Sequence, residues 1–405
     1  MLSTTKISLA TLAGSVRANF RTYTMMVALA LIWLLFGLAT DWVFFEPRNL
    51  SNLFRQMTIV SFLAIGMVLV ITTGNIDLSV GSAVGLVSAV VAKLQVTVMP
   101  PVLQGLFPGL DGDALGLVNT VVAIASGLLV GLVIGLSQGT IIAYLKVPAF
   151  IVTLGGMLIF RGGVLAVTQG RTLTIYEDSF RLIAQGYVGN VAGWVLGCGV
   201  VAACVFFMFR SRAQRRSFGF ELVPLYRDVC KAGGISLLVV AFVFVMNEYR
   251  GIPNPVLVMV AVAASFTYLA NHTRFGRYAY ALGGNQEATR LSGININRVV
   301  FSVFILIGLM CGVSGVVLTG YVAAGTMSGG VNYELEAIAA CVIGGTSLMG
   351  GEGTIAGALV GSLIMASLLN GMSVMNMDVF WQYIIRGLVL IAAVYVDVVS
   401  KRSRG

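Results

Sequence analysis

The chain has 405 residues, of which 58% are apolar and only 10% charged, with a formal net charge of +9. A soluble domain carries about 25% charged residues, so this inventory cannot build a water-exposed surface, and lipid must solvate most of the chain. The single histidine, His272, excludes a multi-histidine metal site, and the five cysteines, which show no CxxC spacing, read as small apolar packing residues, so neither metal nor cofactor is expected.

A spanning helix needs about 20 mostly apolar residues. In chain order, such runs fall near 22–40, 57–74, 78–98, 117–143, 148–168, 187–209, 232–247, 254–271, 300–323, 335–349, 354–371 and 380–398. The expected fold is all-α: one polytopic membrane domain of about 12 transmembrane helices over residues 1–405. The first run is long enough to span and has no small-residue cleavage site behind it, so it reads as a membrane helix and not as a cleavable signal. The tenth run is short and is either a full crossing or a half-helix.

Charge sets the orientation. With the N-terminus inside, alternating spans put Lys6, Arg17, the cluster Arg210 to Lys231, the loop Arg274 to Arg298 and the terminal Lys401 to Arg404 on the cytoplasmic side. Only Arg48, Arg55, Arg171, Arg181 and Arg250 fall outside, as the positive-inside rule requires. Anchoring to the cytoplasmic leaflet therefore explains the net charge without a nucleic acid partner. Residues 187–247 are expected to form a hairpin of two spans joined by the basic stretch 210–231, and the polar loop 272–299 is expected to be cytoplasmic.

No phosphate-binding GxxxxGK[ST] loop, kinase signature or dinucleotide fingerprint occurs, and one histidine limits any catalytic set. The chain is read as no enzyme, so active transport would need an ATPase partner or an ion gradient. Ionisable groups inside spans are few. Lys93 is placed to snorkel. Arg161 and Arg386 are each either structural ties to carbonyls or part of a polar path. Asp77 is most simply a cap for the helix that follows. No embedded acid is matched to a base at a sensible spacing. Two glycine-rich polar breaks occur in the two halves, GNIDLSVGS (74–82) and GGTSLMGGEG (344–353). Asp77, Ser79, Arg161, Gly344, Gly345, Thr346 and Ser347 are accordingly candidates for a translocation path or gate, with tight helix packing as the plain alternative.

The segment ALGGNQEATRLSGININR (281–298) is a polar run in a very apolar chain. Asn285 is placed to cap a short helix Gln286–Leu291 and Gly293 to end it. It is either a solvated connector or a docking helix for a cytoplasmic partner.

Four pieces, GNIDLSVGS, KVPAFIVTLGGMLIFRG (146–162), ALGGNQEATRLSGININR and EAIAACVIGGTSLMGGEGTIAGALVGSLIMA (336–366), occur in the order in which the chain resembles membrane subunits of ATP-binding-cassette sugar importers of the ribose/xylose/galactose type. The resemblance covers about residues 55 to 385. It implies a homodimeric pore in a bacterial inner membrane, a cytoplasmic ATPase and a periplasmic sugar-binding protein. It also implies that Gly283, Gly284, Asn285, Glu287, Arg290 and Gly293 belong to the element that couples to the ATPase. The insertion before GIPNPV (Gly251 to Val256) and the end NGMSVMNMDVFWQYIIRG (370–387) look like xylose-type subunits. Gln138 stands where Asn is usual, and Asn75 where Gly or Glu is common. The expected function is inward translocation of a neutral monosaccharide, D-xylose or a similar pentose; the alternative is a self-contained secondary sugar carrier.

Overall fold

The computed structural model describes residues 20–402 except Leu110 and 221–223. Lys6, Arg17 and Arg404, placed by charge on the cytoplasmic side, lie outside the described residues. The long helices are α1 (Phe20–Ala39), α2 (Pro47–Thr72), α3 (Val80–Lys93), α5 (Gly112–Ala143), α6 (Ala149–Thr168), α8 (Asn190–Ser217), α9 (Leu225–Asn247), α10 (Asn254–His272), α13 (Ile296–Val322), α15 (Ile355–Val374) and α16 (Val379–Arg402). Short helices are α4 (Met99–Leu106), α7 (Asp178–Gln185), α11 (Arg274–Gly284), α12 (Gln286–Leu291) and α14 (Tyr333–Ile343). Helix α3 runs into α4 through a π-turn at Leu94–Val98. Pro100 and Pro101 offer no backbone amide there, so the regular ladder cannot pass through them unchanged.

Among the described residues, nine helices are long and apolar enough to cross a membrane, counting α3 and α4 as one. Two shorter apolar helices, Thr24–Ala39 and Val379–Tyr395, lie within α1 and α16. The tenth apolar run is resolved as a half-helix: α14 has 11 residues, about 16 Å at the α-helical rise, roughly half of a bilayer core.

Helix α13 is the central post, packed against α5, α3 and α2. Glycines allow this. Gly131 and Gly135 on α5 face Gly308, Gly312 and Phe304 on α13 so closely that a side chain at Gly131 would strike the Gly308 carbonyl, and one at Gly308 would strike that of Gly131. Lipid supplies no hydrophobic drive between helices, so association depends on such close backbone approach and dispersion.

Thr72, at the end of α2, and Gly351, in the loop after α14, touch the 272–295 loop; this side is called the loop face. On the opposite face two short antiparallel pairs tie the connections together, Leu173–Thr174 (β1) with Ala324–Gly325 (β4), and Tyr187–Val188 (β2) with Ile252–Pro253 (β3). Arg55 locks the same region by donating to the Ala184 carbonyl at 3.1 Å and lying 5.1 Å over the Tyr321 ring. Helices α8 and α9 pack mainly on each other, with Arg212 paired to Asp228 near their basic ends.

The glycine seam yields a test. Gly131→Val puts a branched side chain against backbone that cannot yield, beyond the usual overpacking cost of about 1–3 kcal/mol. It is expected to abolish accumulation of folded protein in detergent. Gly233→Ala, in α9 with open space around it, is expected to leave the melting temperature at or slightly above that of wild type, since Ala is the better helix former by about 1 kcal/mol.

Candidate functional site

The polar loop builds itself from caps. Thr273 Oγ1 accepts from the Gly276 amide at 3.2 Å, Asn285 Oδ1 from Ala288 at 2.9 Å and Asn295 Oδ1 from Arg298 at 3.1 Å. Three consecutive helices, α11, α12 and α13, thus each begin on a side-chain oxygen. Gly293 ends α12 with φ +80°, a conformation that favours glycine. Glu287 and Arg290 are exposed, and no ion pair joins them among the described residues. Leu291, which sequence reasoning did not single out, is 78% exposed beside them.

Behind α12, Gly283 is pressed onto the membrane core. A side chain there would strike the Thr72 carbonyl and the Gly351 amide. Those two groups bond each other, Gly351 N donating to Thr72 O at 3.0 Å. Gly350, at φ +88°, packs on Gly283 and on the Gly74 amide. Tyr280 donates its hydroxyl to the Gly353 carbonyl at 2.8 Å, and burial pushes that hydroxyl above its ordinary pKa, so it remains a donor. Both glycine-rich breaks seen in the sequence therefore meet at one point under the polar loop.

Gly344, Gly345, Thr346 and Ser347 form the turn that ends α14 on this face. Gly344 crosses Gly357 of α15 in backbone contact, Gly345 has φ +86°, the Thr346 amide donates to Cys341 O, and Ser347 N donates to Glu352 O at 2.9 Å. These residues form a packed joint between α14, α15 and the Gly350–Gly353 stretch that meets the polar loop. Asp77 and Ser79 form a second buried knot. Asp77 Oδ1 accepts from the Ser79 amide at 2.8 Å and the Ser79 hydroxyl at 2.7 Å. Gln138 Nε2, from α5, donates to Ser79 Oγ at 2.7 Å. The carboxylate thus closes the turn that leads into α3, one step earlier than a helix cap that receives the amides of the first turn. Gln138, noticed in sequence only as a departure from a pattern, is the partner that pins it.

Arg161, half buried on α6, donates to the Met327 carbonyl at 3.5 Å. Met327 belongs to a segment that re-enters the bundle. Gly325 lies against Ala92 and Gly330 against Gly81 of α3, a descent of about 16 Å at the helical rise per residue. Helix α14 therefore starts deep in the bundle and carries Glu334 and Glu336 there, 8% and 4% exposed. Glu334 fills the space above Gly81, where any side chain would strike it. Glu336 Oε1 accepts from Arg386 Nη1 at 2.8 Å. This corrects the expectation that no embedded acid is matched to a base: the partners are 50 residues apart, on different helices, and no spacing rule could join them. A signal did exist, since Glu334 and Glu336 are acids leading into an otherwise apolar run.

No group of His, Cys, Asp or Glu suited to a metal occurs among the described residues. The cysteines are free, with Cys311 and Cys341 buried and Cys198 and Cys230 exposed.

Comparison with known proteins agrees with this architecture. Residues 49–394 match the family described as branched-chain amino acid transport system / permease component. The chain is 40% identical over 385 residues to the xylose transport system permease protein XylH of Haemophilus influenzae, covering 95% of this chain and 98% of that protein. It is 40% identical over 390 residues to XylH of Escherichia coli, covering 96% and 95%. Against the ribose import permease protein RbsC of Escherichia coli it is 34% identical over 356 residues, covering 87% of each. No solved structure matches the chain. A family match across most of the chain, near-full-length likeness to xylose permeases and a polytopic helical bundle agree: the chain belongs to this family of membrane transport permeases.

Proposed function

We propose that the chain is the membrane subunit of an ATP-driven importer that carries a neutral monosaccharide, D-xylose or a similar pentose, inward across a bacterial inner membrane. In this reading the chain is not itself an enzyme. A cytoplasmic ATPase docks on the loop face, a periplasmic sugar-binding protein delivers substrate to the opposite face, and two copies of the chain form the pore. The termini and the basic tip of the α8–α9 hairpin then lie in the cytoplasm. The likeness to sugar permeases supports the substrate class.

The observation that carries the coupling scheme is the contact of Gly283 with both Thr72 and Gly351. A partner that grips Glu287, Arg290 and Leu291 would move α12 and Gly283 as one piece. That displacement would act directly on the break before α3 and on the joint at the end of α14, the two places where the helical ladder is interrupted. Elements with two discrete packings are what switching requires. Asp77, Ser79 and the Gly344–Ser347 turn then serve as hinge parts of the gate, with Arg161 holding the re-entrant segment.

The second reading, a secondary carrier driven by an ion gradient, draws support from the embedded acids Glu334 and Glu336, since intramembrane carboxylates often mark proton relays. Uptake of labelled xylose after collapse of the proton gradient, with ATP maintained, separates the two. Persistence is expected; loss of uptake would favour the carrier.

Docking has its own test. Glu287→Ala and Arg290→Ala each break a contact whose loss can cost about 2–5 kcal/mol when the partner charge is left unpaired. The variants are expected to insert normally, co-purify poorly with the ATPase and transport at a small fraction of the wild-type rate. Gly293→Pro should do the same by deforming the end of α12. Near-normal assembly and uptake in all three would remove the docking assignment. For orientation, a cysteine at Ser217, in a background without Cys198, Cys204 and Cys230, is expected to resist an impermeant thiol reagent in intact cells; ready labelling would reverse the hairpin.

A further inference from the structure

Between α2, α13, α14, α15 and α16 lies a cavity of about 270 Å³. Its polar wall consists of Gln56, Tyr321, Tyr333, Glu336, Ser362 and Arg386, and the rest of its lining is apolar. Ser362 is 1% exposed, and its hydroxyl has no hydrogen-bond partner among the described residues. A buried polar atom left without a partner is costly, and here it borders open space. The cavity lies at the deep end of α14, where the chain has abandoned helical geometry to re-enter the bundle. Irregular backbone at membrane depth is tolerated where it is buried in protein or lines a cavity, and half-helix ends of this kind frame substrate sites in transporters.

We propose that this cavity is a monosaccharide subsite on the translocation path, taking a neutral polyhydroxylated ring. The inference rests on the sugar-permease reading and deepens it to named residues. The charge balance selects a neutral ligand. Glu336 is compensated by Arg386 at 2.8 Å, so an anion would meet the carboxylate and a cation the guanidinium. The lining chemistry selects a polyol. Phenol and alcohol hydroxyls, an amide and an ion pair offer both donors and acceptors, beside apolar side chains that suit the carbon skeleton of a sugar. The volume lies just under the range of about 300–1,000 Å³ typical of ligand pockets, which fits one ring and not a chain of them. An acyl chain of a lipid would leave Ser362 and the ion pair without hydroxyl partners. Arg55, stacked on Tyr321, stands between this cavity and the opposite face.

The test uses the assembled importer, with permease, ATPase and binding protein in proteoliposomes. Wild-type transport of labelled D-xylose, D-ribose and D-galactose is measured first. If none is carried, the sugar reading fails and the subsite falls with it. If one is carried, Ser362→Ala and Tyr333→Phe are compared at saturating loaded binding protein. Removing the unpartnered Ser362 hydroxyl costs the fold nothing. The loss of one ligand hydrogen bond is expected to lower the maximal uptake rate about 3- to 10-fold. Basal ATP hydrolysis should stay at the wild-type rate, so ATP spent per sugar rises. Ser362→Leu, which fills the cavity, is expected to abolish uptake while hydrolysis continues. A merely structural role would lower hydrolysis and uptake together. The proposal is overturned if Ser362→Ala and Tyr333→Phe both transport at the wild-type rate, or if every variant loses hydrolysis in parallel with uptake.

Discussion

Backbone that enters lipid has no water to satisfy its amides and carbonyls, and the re-entrant segment 324–332 is where this chain meets that constraint most sharply. Its solution is local and specific. Ala324 and Gly325 pair with Thr174 and Leu173, the Ile175 amide donates to the Ala323 carbonyl at 2.8 Å, and Arg161 reaches the Met327 carbonyl. Gly81 and Gly85 lack side chains, which lets the segment lie directly on α3. Without those glycines the segment could not descend, α14 could not begin inside the bundle, and its two glutamates would have no place at depth.

The same reliance on glycine links the two faces of the subunit. Along α5 and α13, glycines bring backbones together and make the post rigid. At Gly283, Gly350 and Gly351 they bring three separate loops into backbone contact on the loop face. The close-packed post stands beside a jointed corner, and interfaces packed this closely move between discrete arrangements and do not deform continuously.

One charge pair inside the bundle joins two helices. Glu336 and Arg386 compensate each other, and Arg386 also lies 4.7 Å over the Tyr383 ring. Bringing such a pair out of water carries a desolvation penalty that its mutual attraction need not recover, while removing one partner alone would leave an uncompensated buried charge. A neutral cargo is compatible with embedded charge when that charge is balanced locally.

The sequence by itself determined the membrane solvent, the number and approximate limits of the apolar runs and the caps of the polar loop. Each depends on composition, on the spanning length or on a side chain reaching its own neighbouring backbone. Asn285 and Gly293 were legible for that last reason. The tertiary structure alone decided the rest. Whether 335–349 crosses depends on a preceding segment that packs only because distant glycines leave room. Gln138 holds Ser79, Gly283 touches Thr72 and Gly351, and Glu336 meets Arg386 because helices far apart in the chain lie side by side. Such contacts have no sequence period, so no reading along one chain could supply them.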